Sequence, residues 1–179
     1  MLSKKVSGAD NQQERLKTNG WIVGFVDGEG SFIITIFHHP KSRMKYGWQV
    51  FPELIVTQRA TNLNTLELIK KVLGCGNICR SKEKGEYGHK EPLYRYAVRS
   101  IKELNERVIP FFEKNRLVSA SKRRDFKKFT QVLRMMKKGK HLKYRGLVRI
   151  AKIAETMNRK TPSRFLKSSE TIRQTTAHK

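Results

Sequence analysis

The sequence predicts an α+β domain: a four-stranded antiparallel sheet with helices on one face, followed by further helices. Four runs rich in β-branched and aromatic residues occur in two pairs. Segments with the apolar spacing of helices precede, separate and follow these pairs. The resulting order, α-β-β-α-β-β-α and then more helices, suits one antiparallel sheet with its helices on one side. The opposite face of the sheet is left open, as a broad and partly polar saddle.

The first strand pair follows a glycine-rich helix. We expect residues 1–17, which are polar, to form a flexible arm, and a helix to run over about residues 19–28. Residues 31–37 are β-branched and aromatic and read as the first strand, and residues 48–57 read as the second. The segment 38–47 between them is a basic, turn-rich connection.

The second strand alternates between an apolar and a polar face. Val50, Leu54 and Val56 share one face, whereas Gln49 and its alternating neighbours lie largely opposite. Pro52 removes a donor from the ladder, so it predicts a bulge or an edge position.

The second half of the sheet is predicted as a hairpin after a helix. Apolar residues at helical spacing indicate a helix over 62–73, which Gly74 ends. Residues 76–81 and 93–100 read as the two strands of a hairpin with a long, charged tip.

Three helices are predicted after the hairpin. The first covers residues 101–112 up to an interruption at Pro110, the second covers residues 117–138 and the third covers residues 144–157. At 179 residues the chain is one domain, divided here into the arm, a core over 18–138 and a helical extension over 139–179.

Charge indicates the class of partner. The chain has 39 Lys and Arg against 15 Asp and Glu, a net charge of +24, which fits a nucleic-acid partner through counterion release. Cys75 and Cys79 lack a second metal-ligand pair, so we expect reduced thiols and no zinc site. Neither a secretory signal nor an apolar run of membrane-spanning length occurs. We therefore expect an intracellular, soluble protein of the nucleoid, the cytoplasm or an organelle matrix (chloroplast or mitochondrion).

The segment from Ile22 to Gly30 carries the most specific signal. Glycine recurs at Gly20, Gly24 and Gly28, on one face of the predicted helix, although each costs about 1 kcal/mol relative to alanine. A face without side chains allows close approach of another helix. Two acids, Asp27 and Glu29, follow at the negative end of the helix dipole, where a bound cation would stabilise them.

This nonapeptide, Ile-Val-Gly-Phe-Val-Asp-Gly-Glu-Gly, resembles the motif of the LAGLIDADG homing endonucleases position by position. The similarity extends over roughly residues 17 to 175 and includes the order of elements. It implies the homing-endonuclease core, in which the glycines, the first acid and the closing glycine of the motif are structural: Gly20, Gly24, Asp27 and Gly30.

The resemblance also implies an active site. Glu29 occupies the position of the family's metal-ligand acid, although aspartate is common there, and the backbone carbonyl of Gly28 would assist it. Gln58 matches a glutamine that orders the water near the metal, and Lys122 matches a lysine that stabilises the phosphate or polarises the water. Asn62 stands where relatives carry an arginine, and Arg59 is a candidate substitute. The implied ion is Mg²⁺, with Mn²⁺ or Ca²⁺ fitting the same oxygen ligands.

The open face of the sheet is the predicted DNA-binding surface. Strand alternation and the basic loops select candidates for contacts to base edges and phosphates. They are Thr35, Lys41, Arg43, Lys45, Gln49, Glu53, Arg59, Ser81, Lys82, Arg95 and Arg99. Cys79 is a further candidate, and the basic residues of the later helices are equally consistent with a solvated face.

One motif supplies one acid, whereas a double-strand break needs one acid for each strand. A symmetric homodimer joined through the Gly24 face would supply both and would favour a near-palindromic target. The resemblance implies 3′ overhangs and an intron-borne gene. Two alternatives stay open: an RNA-binding intron maturase, and a DNA-binding regulator of the same fold that does not cut.

Overall fold

The computed structural model describes residues 8–39, 46–81, 91–158 and 162–168. Within these ranges the elements follow the predicted order α-β-β-α-β-β-α with helices after it. The helices are α1 (Gly8–Glu29), α2 (Leu63–Leu73), α3 (Ile101–Glu103), α4 (Ile109–Lys114), α5 (Ala120–Lys137), α6 (Tyr144–Glu155) and α7 (Arg164–Lys167). The strands are β1 (Gly30–His38), β2 (Trp48–Arg59), β3 (Asn77–Arg80) and β4 (Leu93–Val98).

The four strands form one antiparallel sheet in the order β1-β2-β4-β3, which confirms the predicted fold class. The pairing of β1 with β2 runs residue for residue from Gly30 opposite Val56 to His38 opposite Trp48, so Pro52 causes no bulge. Because β4 pairs only with residues 54–59 of β2, Pro52 lies on a part of β2 that β4 does not border. The edge alternative for this proline is therefore correct.

The core lies between one face of the sheet and the helices. Phe32 of β1 is fully buried, and its ring lies 5.5, 5.1 and 5.3 Å from those of Phe112, Phe126 and Phe129. These contacts fix α4 and α5 on the sheet. Trp48 of β2, which pairs with the last residue of β1, packs edge-to-face on Phe165 at 5.2 Å. Phe165 belongs to α7, a short helix that the sequence did not predict.

Two predicted boundaries are wrong. The helix expected over 19–28 begins at Gly8. The polar residues before position 19 are exposed and include no proline, so they continue the helix in the N-terminal direction from its buried part. Pro110 does not interrupt its helix. A π-helical stretch (Leu104–Val108) joins α3 to α4, and its wider hydrogen-bond spacing places the proline in the first turn of α4, where a missing N–H is tolerated.

The turn from α2 into β3 places the two cysteines in different environments. Gly74 ends α2 in the left-handed conformation, as predicted, and Cys75 lies buried where its carbonyl accepts a hydrogen bond of 3.0 Å from the Tyr96 hydroxyl. Burial raises the pKa of Cys75 and of Tyr96. Cys79 is exposed on β3, and both cysteines are free thiols. The described part of the chain contains no helix that is long and apolar enough to cross a membrane.

Candidate active site and nucleic-acid interface

The junction of α1 and β1 brings the candidate catalytic residues together. Glu29 is the last residue of α1 and is exposed, and Gly30 begins β1 directly after it. A Cβ at Gly30 would lie 2.6 Å from a methyl carbon and 2.8 Å from the carbonyl oxygen of Val26. Only glycine therefore allows the chain to pass from helix to strand this tightly, which fixes Glu29 at the corner.

The two acids of the motif have different surroundings. Asp27 accepts three hydrogen bonds: from the backbone N–H of Val118 (3.1 Å), the N–H of Ser119 (2.7 Å) and the Ser119 hydroxyl (2.8 Å). Glu29, by contrast, forms no hydrogen bond or ion pair with the described residues. Asp27 is thus engaged in holding the chain, whereas the carboxylate of Glu29 is available to a ligand.

Asp27 holds the segment that leads into α5. Ser119 caps that helix, since its hydroxyl accepts from the N–H of Lys122 at 3.4 Å. From the other side, the Arg123 guanidinium donates to the carbonyl of Leu117 at 3.2 Å. The first turn of α5 is therefore tied to the end of α1. Sequence reasoning missed the role of Ser119, although a serine before a helical run is an N-cap signal.

Lys122 reaches the corner from this first turn. Its half-buried side chain donates a hydrogen bond to the carbonyl of Gly30, one residue after Glu29. An ammonium group beside the end of a helix complements the negative end of its dipole. The cation that the resemblance implied therefore lies next to the candidate acid.

Gln58 approaches the same corner along β2. Because Gly30 pairs with Val56, Gln58 lies two residues further along β2, beside the end of α1. Its amide oxygen accepts a hydrogen bond of 3.2 Å from the Asn62 side chain, which orients the amide. Strand alternation places Arg59 on the opposite face of β2. Of the two residues considered for the outer-shell position, Asn62 and not Arg59 therefore lies on the side of Gln58.

A divalent cation finds part of a site here. Glu29 offers one carboxylate, and the C-terminal carbonyls of α1 offer oxygen atoms of the type that Mg²⁺ prefers. The described residues include no group of three or more acidic, histidine or cysteine side chains that would hold a metal alone. The Glu29 carboxylate and these carbonyls would fit a hard cation as part of its ligand set.

The open face of the sheet carries the predicted DNA contacts. Cross-strand pairing sets Ser81, Leu93 and Arg59 in one row, with Cys79, Arg95 and Thr57 in the next. Alternation places the other described candidates on the same face, namely Thr35, Gln49, Glu53 and Arg99. Lys41, Arg43, Lys45 and Lys82 lie outside the described residues.

Two features of this face were not predicted. Arg99 forms an ion pair of 2.9 Å with Glu53 and lies 5.9 Å above the Phe51 ring, so both charged candidates are already partnered. Phe51 also packs against Phe37, at 6.1 Å between ring centroids, which adds an apolar patch to the face. Strand alternation assigns these aromatic residues to the same face as the polar candidates.

The glycine face of α1 is open. A Cβ built at Gly20, Gly24 or Gly28 meets no atom within 4 Å. Beside these glycines, the Trp21 and Phe25 rings stack at 5.2 Å, and Trp21 is 43% exposed. Among the described residues, no helix supplies the close packing that the glycines predict.

An acid placed at the end of a glycine-faced helix, beside a four-stranded antiparallel saddle, defines the homing-endonuclease class of fold. The sequence model described as LAGLIDADG endonuclease matches residues 22–133, and the chain belongs to this family. A curated relative, "Probable intron-encoded endonuclease 3" of Neurospora crassa, is 31% identical over 145 residues. The match covers 80% of this chain and 25% of the relative, so the chain spans about a quarter of that protein.

Solved structures agree with this assignment. The homing endonuclease I-TnaI is 33% identical with a TM-score of 0.69, and the match covers 89% of this chain and 96% of that chain. The LAGLIDADG homing endonuclease I-LtrWI, solved bound to target DNA, is 30% identical with a TM-score of 0.76. That match covers 86% of this chain and 48% of I-LtrWI.

Proposed function

We propose that this chain is a site-specific, Mg²⁺-dependent DNA endonuclease that acts as a symmetric homodimer. It makes a double-strand break with 3′ overhangs at a long, near-palindromic site, and its gene lies in an intron that it mobilises. The observation that carries the proposal is the contrast at the α1–β1 corner: Glu29 is exposed and unpaired among the described residues, while Asp27 is held by three hydrogen bonds.

Each residue at the corner has a chemical role in phosphodiester hydrolysis. Glu29, assisted by the Gly28 carbonyl, would hold Mg²⁺, which when bound activates water and neutralises the leaving oxygen. Lys122 places its ammonium group at the Gly30 carbonyl, beside Glu29 in sequence, from where it would stabilise charge that develops on the phosphate. Gln58, oriented by Asn62, is placed to position the attacking water.

The open glycine face of α1 supports the proposed dimer. The face lacks side chains at three positions one turn apart and carries an exposed tryptophan, which suits isologous packing against the same helix of a second copy. Such packing would set two Glu29 residues side by side, one for each DNA strand. Glu29 is the acid at this corner among the described residues of one copy, so a second copy would add a second acid.

Gly24→Leu tests the dimer separately from catalysis. Since a Cβ at this position meets no atom within 4 Å, and Gly24 is exposed, the variant should stay folded. We expect sedimentation to show a dimer for the wild type and a monomer for the variant, with unchanged circular dichroism. A monomeric wild type, or a dimeric variant, would contradict the arrangement.

The catalytic claim is tested by cleavage of a randomised DNA library with Mg²⁺, with Glu29→Gln as the control. The proposal expects the wild type to cut a near-palindromic site and the variant to bind that site without cutting it. Binding of both proteins without cleavage, in Mg²⁺ and in Mn²⁺, would refute the proposal and favour the regulator. Preferential binding of intron RNA under the same conditions would favour the maturase.

A further inference from the structure

The helical side of the molecule carries a second charged surface. Residues 126–154 contain ten lysines and arginines and no aspartate or glutamate. Six of the cations surround the bend between α5 and α6 and are all exposed. We call these six the basic bend: Lys137, Lys138, Lys140, Lys143, Arg145 and Arg149.

The basic bend faces away from the open face of the sheet. Phe126 and Phe129 of α5 pack on Phe32, whose side chain lies on the helix-covered face. Leu147 and Ile150 of α6 are also buried. The cations are exposed on the same two helices and on the segment that joins them, whereas the predicted DNA contacts lie on the open face of the sheet.

Stability does not account for these charges. Lys137 and Lys138 at the C-terminus of α5 complement its dipole, but Lys143 and Arg145 flank the N-terminus of α6, where cations are disfavoured. None of the six forms an ion pair with the described residues. Repulsion within the group is therefore offset only by solvent or by an anionic partner.

The chemistry of the surface selects a double helix. Single-stranded nucleic acids are bound through exposed aromatic rings on which bases stack. Two rings occur at the bend, His141 and Tyr144, and both are half-buried. Tyr144 packs against Tyr46 and Phe165 at 5.8 and 6.3 Å. Cations without stacking rings suit the phosphates of a duplex.

We propose that the basic bend binds the phosphate backbone of a second DNA duplex, in addition to the duplex on the saddle. Such a surface would hold the protein on DNA while the saddle tests sequences. This inference does not depend on cleavage, and DNA without a target site suffices to test it.

The experiment compares two variants with equal loss of charge. One replaces the four lysines and two arginines of the basic bend with glutamine. The matched control replaces four lysines and two arginines that are exposed elsewhere, namely Lys70, Lys71, Lys102, Arg107, Lys114 and Arg116. Each protein is added to a bead-bound 30-base-pair duplex, and capture of a second, fluorescent duplex is measured between 50 and 200 mM salt.

We expect the wild type and the control to capture the second duplex, and the bend variant to lose at least tenfold in capture at equal occupancy of the first. The slope of log affinity for the second duplex against log salt should weaken by about 0.9 for each lost phosphate contact, up to about 5 for all six cations. Equal capture by all three proteins, or an equal loss in both variants, would overturn the proposal. A loss confined to a double-stranded RNA probe would assign the surface to RNA instead.

Discussion

Replacing Asp27 with asparagine should destabilise the fold, although the residue lies in a motif that is read as catalytic. The carboxylate accepts three hydrogen bonds of 2.7–3.1 Å from Val118 and Ser119, and asparagine has only one oxygen with which to accept them. Hydrogen bonds to charged groups contribute about 1.5–3 kcal/mol each. Both backbone N–H groups donate to Oδ2, so an asparagine oxygen placed there keeps these two bonds, without the charge, and loses the bond from the Ser119 hydroxyl. Since Asp27 is only half-buried, we expect this loss to lower the free energy of unfolding by about 1.5–3 kcal/mol.

Glu29→Gln is the matched control, two residues away on the same helix. Its carboxylate is exposed and forms no hydrogen bond with the described residues, so the change in stability should stay within about 0.5 kcal/mol. For a chain of this size, the Asp27→Asn loss corresponds to a decrease of roughly 3–12 °C in Tm. Urea and thermal unfolding of the two variants measure the difference. Equal stability of both, or a larger loss for Glu29→Gln, would refute the assigned roles.

Three further predictions follow from the contacts. Ser119→Ala should reduce kcat with little change in KM, because it removes the cap of the first turn of α5, which carries Lys122, and Ser119→Thr should restore kcat. An unchanged kcat in Ser119→Ala would show that the cap does not position Lys122. Gly76→Ala should cost more than about 2 kcal/mol, because φ is +77° and a Cβ would lie 2.8–2.9 Å from three atoms, whereas Gly74→Ala, with no neighbour within 4 Å, should cost about 1 kcal/mol. Because burial raises the pKa of Cys75, iodoacetamide at pH 8 should label Cys79 before Cys75, and mass spectrometry of the labelled sites measures this order. The free energy of unfolding should fall as the pH rises above the ordinary thiol range, because unfolding then releases the Cys75 thiol proton.

Local signals gave the order of elements and the faces of the strands. The helix of residues 63–73 and its glycine end are as predicted, since apolar spacing and a left-handed cap are properties of the segment itself. The start of α1 and the course of the chain through Pro110 were not predicted, because both depend on the neighbouring helical segments with which these residues are continuous. A polar helix supported by its buried continuation has no periodic signal of its own.

The site divides in the same way. The motif identified Glu29 and its neighbours, but the link from Asp27 to Ser119 joins residues 92 positions apart and depends on tertiary packing. Similarly, alternation placed Glu53 and Arg99 on one face, whereas their ion pair required the register of β2 against β4. Pairings between distant segments are where single-sequence reasoning ends.

The proposed double-strand break requires one Glu29 from each of two copies, and a mixed dimer tests this requirement directly. Two differently tagged copies, one wild type and one Glu29→Gln, are co-purified and given a plasmid that carries the selected target, with Mg²⁺. We predict that the mixed dimer nicks one strand, whereas the wild-type dimer linearises the plasmid and the Glu29→Gln dimer leaves it intact. Linear product from the mixed dimer at the wild-type rate would contradict the assignment of one acid to each strand.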